Sequence, residues 1–152
     1  MIGSPSVALD IAETLLASIP GQDISDKLWA SVAVTPLAAL LFAASIQDET
    51  SGIEWVRRAI SNVDADASLP GWRQAAEICR RPTRQSAQSL GETLLRIATF
   101  DPRQRSSIVY IMNAALALWA ADDVKGTRAA LCRVLTLRRK SAKSGAGHEV
   151  QW

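Results

Sequence analysis

At 152 residues the chain has room for one domain with a substantial core, and its formal net charge is only +2. Hydrophobic residues make up 48 % and aromatic residues 5 %, with Ala and Leu dominant, a balance that favours helix over sheet. A single histidine, His148, excludes a histidine triad and any multi-histidine metal site.

The charge is unevenly placed. Residues 1–76 carry four Lys/Arg against nine Asp/Glu, whereas residues 77–152 carry thirteen against six. Such a chain either presents a polarised surface or interleaves its halves so that the charges pair. Asp10 and Glu13 interrupt the first apolar run, and no basic region precedes it, so no secretory signal is expected. Cys79 and Cys132 have no metal-like spacing and read as buried thiols in a reducing cytoplasm, with a disulfide as the alternative.

Ser4 and Pro5 form a cap and first helical position, and Ala8, Leu9, Ala12, Leu15, Leu16 and Ile19 recur at helical spacing until Pro20 and Gly21 end the helix. Asp23 or Ser25 caps the next element. It contains the uncharged run Leu28 to Gln47, apolar on nearly every helical face, as in a helix buried on most sides. The run reaches the roughly 20 residues that span a bilayer. Its Ala content, with Ser31, Thr35 and Pro36 inside it and no Lys/Arg cluster beside it, favours a core helix instead. Pro36 lacks a backbone donor, which predicts one bent helix or two in tandem.

Ser51 and Glu54 have capping-box spacing and open a short helix through Ile53, Val56 and Ile60. Asn62 to Pro70 reads as a loop. A helix is expected from Gly71 to Arg81, with Trp72, Ala75, Ala76 and Cys79 on its apolar side and Pro82 as its stop. Thr83 caps another, whose apolar face is Ala87, Leu90, Leu94, Leu95, Ile97 and Ala98, with Gly91 allowing a close neighbour. Asp101 followed by Pro102 starts the next. There Ile108, Ile111, Met112, Ala115, Leu116 and Trp119 face the core, against the uncharged central helix. Thr127 caps a last element whose VLTL also alternates like a strand; helix is preferred. The expected fold is all-α, a single compact bundle of about seven helices around the long uncharged one. Residues 1–122 form the helical domain, 123–140 a last helix or linker, and 141–152 a mobile tail.

No Gly-rich loop ends in Lys-Ser/Thr, and no Gly-x-Ser-x-Gly elbow is present. The carboxylate pairs Asp64/Asp66 and Asp122/Asp123 fall in loops or helix ends, where solvation and capping are their ordinary work. No catalytic residue, metal ligand or cofactor site is assigned, and the chain reads as a non-enzyme. The remaining constellation is basic. Arg80, Arg81 and Arg84 flank Pro82, Arg103 and Arg105 follow Pro102, and Arg138, Arg139, Lys140 and Lys143 form a C-terminal run. Guanidinium groups at helix ends and loops can contact phosphates, or simply form solvated faces or pair with the acidic N-terminal half. Trp29, Trp55, Trp72 and Trp119 fall at apolar helical positions, which suits core packing more than base stacking.

The stretches ALDIAETLLAS (Ala8 to Ser18), DKLWASVAVTPLAALLFAAS (Asp26 to Ser45), the short helix Ile53 to Ile60, SAQSLGETLL (Ser86 to Leu95) and RQRSSIVYIMNAALALWA (Arg103 to Ala120) follow in an order that resembles the all-alpha domain of type IV secretion coupling proteins, the TraG/TraD-like conjugation ATPases. The resemblance implies an all-helical module projecting into the cytoplasm from a RecA-like motor at the inner face of the bacterial membrane. The parent would be membrane-associated and oligomeric, with its nucleotide site outside this chain. The module would help recruit the relaxase, relaxosome accessory proteins and DNA. After Asp122 the chain departs from the family pattern, running into a basic tail where the family returns to the motor sheet. Two alternatives stand beside this reading: a stand-alone helical nucleic-acid-binding protein with its arginines on one face, and a helical protein–protein adaptor that self-associates through exposed apolar area.

Overall fold

The computed structural model describes residues 4–47, 52–81 and 86–121, which form six α-helices and no strand. They are α1 (Pro5–Ala17), α2 (Ile24–Gln47), α3 (Gly52–Ser61), α4 (Trp72–Cys79), α5 (Gln88–Ala98) and α6 (Pro102–Ala121). The all-α class is therefore as expected. The last helix or linker, at 123–140, and the tail at 141–152 lie outside the described residues, as do Ser51, Thr83 and Cys132.

The centre of the bundle is α2, which touches each of the other five helices. From Pro36 to Ala44 every residue is buried, on all faces of the helix. A helix with no polar face must be wrapped on all sides. The four Ala in that run let its neighbours approach closely, since helix separation depends on the side chains at the contact. By length and composition Ile24–Ile46 could also cross a membrane, but most of that stretch is buried inside the bundle. The proline does not divide the element: α2 runs unbroken through Pro36, which leaves the carbonyl of Val32 without the donor a helix normally supplies.

The caps follow the local chemistry. Ser4 Oγ accepts from the backbone N–H of Val7 at 3.3 Å, with Pro5 as first helical residue. At the head of α2 the cap is Asp23, not Ser25. Asp23 Oδ1 accepts from the Asp26 N–H at 2.7 Å, and Asp26 Oδ2 accepts from the Asp23 N–H at 3.4 Å, a reciprocal pair of the capping-box kind. Between α1 and α2 the chain turns through Gly21 at φ +71°, a left-handed conformation that glycine adopts without steric cost. Asp101 Oδ1 accepts from the N–H groups of Arg103 and Gln104, at 2.9 and 3.1 Å, which fixes the start of α6.

One continuous core joins all six helices. It takes Ala8, Ile11, Ala12, Leu15 and Leu16 from α1, Trp72, Ala75, Ala76, Ile78 and Cys79 from α4, and Ile108, Ile111, Met112, Ala115 and Leu116 from α6. Trp72 is fully buried and donates its indole N–H to the Ile60 carbonyl at 3.0 Å. Trp29 and Trp55 are half-buried against the core, and the Trp119 side chain lies outside the described residues. As the spacing predicts, α6 lies against α2.

Candidate functional site

The site begins with the loop between α3 and α4, residues 62–71, which has no regular structure but is pinned at several points. Asn62 Nδ2 donates to the Pro70 carbonyl at 2.8 Å, and the Trp72 N–H donates to the Asn62 carbonyl at 3.3 Å, so the two ends of the loop are clasped together. Gly71 makes that clasp possible. A Cβ there would stand 2.7 Å from the Asn62 carbonyl oxygen. Gln74 ties the loop to the helices, donating to the Ala67 carbonyl and accepting from the Trp55 indole N–H. Within the loop the Asp66 carboxylate accepts from the backbone N–H and the hydroxyl of Ser68. Those bonds favour the charged form and hold Asp66 below the usual carboxylate range.

Against this pinned loop lies the first half of α6. Pro102, Arg105, Ser106, Val109 and Tyr110 recur at helical spacing and form one wall of an open cleft of about 520 Å³. Ser61, Asn62, Val63, Asp64 and Ala65 form the other. The lining is mixed: apolar surface from Val63, Val109 and the Tyr110 ring, two hydroxyls from Ser61 and Ser106, and a cation and an anion from Arg105 and Asp64. Tyr110 is 71 % exposed, the most exposed aromatic side chain among the described residues.

Arg105 is the most constrained charge of the set. Its side chain is 20 % exposed, whereas that of Asp64 is 83 % exposed. Nη1 donates to Asp64 Oδ1 at 2.8 Å and, at a longer 3.4 Å, to the Ala98 carbonyl at the end of α5. Nε is buried without a partner. Among the described residues Nη2 has no hydrogen-bond partner. Burial of the stem and the Ala98 carbonyl hold the guanidinium at the cleft wall, and Asp64 reaches it from the surface.

The structure does not gather the sequence-selected arginines in one place. Arg80 and Arg81 are exposed at the C-terminal end of α4. The Arg80 stem lies over Gly91 in the first turn of α5: a Cβ on Gly91 would stand 2.7 Å from Arg80 Cγ. Arg105 instead meets Ala98, at the other end of α5. The two groups are thus separated along α5 by roughly 10 Å, at 1.5 Å per residue. Arg103 is exposed in the first turn of α6, and its side chain does not line the cleft. Arg84 lies outside the described residues, with Arg138, Arg139, Lys140 and Lys143. Pairing with the acidic half of the chain is seen once among these arginines, between Arg105 and Asp64.

Tyr110 and Asp64 were not selectable as site residues from spacing alone. Tyr110 falls off the core stripe of Ile108, Ile111, Met112 and Ala115, which marks it as outward-facing but gives it no role. Asp64 reads as a loop carboxylate until the fold sets it opposite Arg105. Among the described residues, no three of His, Cys, Asp and Glu come together as metal ligands would. No family model, curated protein or solved structure matches the chain.

Proposed function

We propose that the chain is a non-catalytic recognition module that binds a protein partner in the cleft between the α3–α4 loop and α6. The observation that carries this reading is the held guanidinium of Arg105 in the wall of an open, mixed cleft flanked by an exposed tyrosine. Tyrosine and arginine are the residue types most often found at the energetic centre of protein interfaces. The cleft accepts a few side chains, and its rigid loop wall keeps the ordering cost of binding low. The order of apolar and polar runs from Ala8 to Ala120 supports the biological setting: recruitment of a relaxase or relaxosome accessory protein to a conjugative DNA-transfer coupling protein. In that setting the module faces the cytoplasm, while membrane anchoring, oligomerisation and ATP hydrolysis belong to the parent motor. It needs no cofactor of its own.

Direct DNA binding is the second reading, and it draws on Arg80, Arg81 and Arg103, which are all exposed. The separation of Arg80 from Arg105 along α5 makes a single phosphate-tracking patch the weaker candidate.

The test measures binding of purified relaxase and accessory proteins of the conjugative element to the immobilised chain. Arg105→Ala is expected to weaken the cognate interaction by about tenfold or more, with Arg80→Ala and Arg81→Ala each within about twofold. Absence of binding by every relaxosome protein, or equal binding by Arg105→Ala, overturns the reading. Fluorescence anisotropy of labelled single- and double-stranded DNA at low and moderate salt tests the alternative. Binding that falls steeply with salt and is lost on replacing Arg80 and Arg81 would establish it.

A further inference from the structure

The cleft contains its own rehearsal of a ligand. Asp64 presents a carboxylate to Arg105 from a loop, with its side chain almost fully in water and one hydrogen bond between them. An ion pair so exposed on one side is weak, because water competes for the carboxylate and salt screens the attraction. The cation does not depend on it for its position, since Arg105 is mostly buried and also bonded to the Ala98 carbonyl. One terminal nitrogen, Nη2, is left unused among the described residues. A carboxylate arriving end-on could take Nη1 and Nη2 together, the two-point geometry that guanidinium groups favour. Nε is buried, so end-on approach is the only two-point approach open from the cleft.

We infer that Arg105 is the seat for a partner's side-chain carboxylate, and that Asp64 occupies that seat in the free chain and is displaced on binding. The inference rests on the cleft being the binding site and adds the chemistry of what enters it: an acidic segment with an apolar neighbour. The carboxylate takes the guanidinium, and the apolar side chain lies against Val63, Val109 and the Tyr110 ring. Asp64 is then a competitor that sets the threshold for binding, so removing it strengthens the interaction while removing its partner abolishes it.

The probe is a fluorescein-labelled hexapeptide alternating pairs of glutamate with leucine, titrated against the full chain at low salt. The same peptide with glutamine for glutamate is the chemical control. Asp64→Asn is expected to tighten binding of the glutamate peptide about two- to fivefold, the range released when an exposed ion pair no longer competes. Arg105→Ala is expected to reduce it at least tenfold. Asp66→Asn removes the same charge from the same loop and keeps an oxygen for Ser68, so it is expected to change binding by less than Asp64→Asn. Equal gains from the two substitutions would mean general charge repulsion and overturn the displacement. Loss of binding in Arg105→Ala with no gain in Asp64→Asn also overturns the displacement, while leaving the cleft as the site. Indifference to both substitutions, or equal binding of the glutamine peptide, overturns the carboxylate seat itself. A urea midpoint for each variant confirms that the comparisons are between folded chains.

Discussion

Gly91 shows how one residue decides the approach of two helices. It lies in the first turn of α5, and a Cβ there would stand 2.8 Å from the Ala76 carbonyl oxygen and 3.1 Å from the Cys79 Cβ. In an open helix Gly→Ala gains about 1 kcal/mol of propensity. Here the new methyl meets backbone, which cannot swing aside, so α4 and α5 must part. Gly91→Ala is therefore expected to lower stability by about 1–3 kcal/mol, measured by urea unfolding with an unchanged m-value. The sign is the informative part: a gain in stability would mean that α5 does not pack this tightly on α4. Trp72 makes the complementary point. Its ring fills the core, and its N–H reaches the Ile60 carbonyl, so one side chain both packs α4 and fixes the end of α3 beside the cleft.

At the scale of the element, α6 is held at its head by Asp101 and along its length by core packing. Its two ends differ in character. The stretch from Pro102 to Tyr110 carries the cleft-lining stripe, and the stretch from Ile108 to Leu116 supplies the buried one. Asp101→Ala removes the acceptor for two backbone N–H groups and is expected to cost about 1 kcal/mol. Because the lost cap lies one turn from Arg105, amide hydrogen exchange should rise first at the start of α6. Protection around Met112 should be lost only with global unfolding. Equal loss of protection along the whole helix would show that the cap acts on the bundle and not on the end. The loop from 62 to 71 is the other wall, and its clasp between Asn62, Pro70 and Trp72 gives a connecting segment the rigidity a binding surface needs.

For the whole molecule, the central question is whether six helices unfold as one. All contribute to a single core, and α2 contacts each of them, so no helix can leave without exposing part of α2. Leu40→Ala, at a fully buried position in the middle of α2, is expected to cost about 2–5 kcal/mol. It should do so in one transition seen alike by tryptophan fluorescence and far-UV circular dichroism. Two separated transitions would show that α1 and α2 can persist without α4 and α5.

Much of this architecture was legible beforehand because it rests on local chemistry. The starts of α1 and α6 are written in Ser4-Pro5 and Asp101-Pro102, since a capping oxygen and a first-turn proline act within a few residues of chain. The core faces of α4, α5 and α6 are written in their spacing, because a helix turns through a fixed angle per residue. The uncharged run in α2 required burial on all sides, since no polar face was available to meet water. At Pro36 one bent helix and two in tandem were both open: one missing hydrogen bond competes with packing from five neighbours, and only the fold supplies those neighbours. The site divides in the same way. Arg105 was visible as a charge near a helix start, but so were Arg80, Arg81 and Arg103, and charge alone ranks them equally. Tertiary structure separated them, placing Arg80 and Arg105 at opposite ends of α5 and bringing Asp64 to Arg105 across forty residues of chain. The sequence by itself thus determined the elements and their buried faces, through interactions that act over a few residues. The tertiary structure decided which side chains meet in the cleft, because distances between remote residues depend on how every helix packs at once.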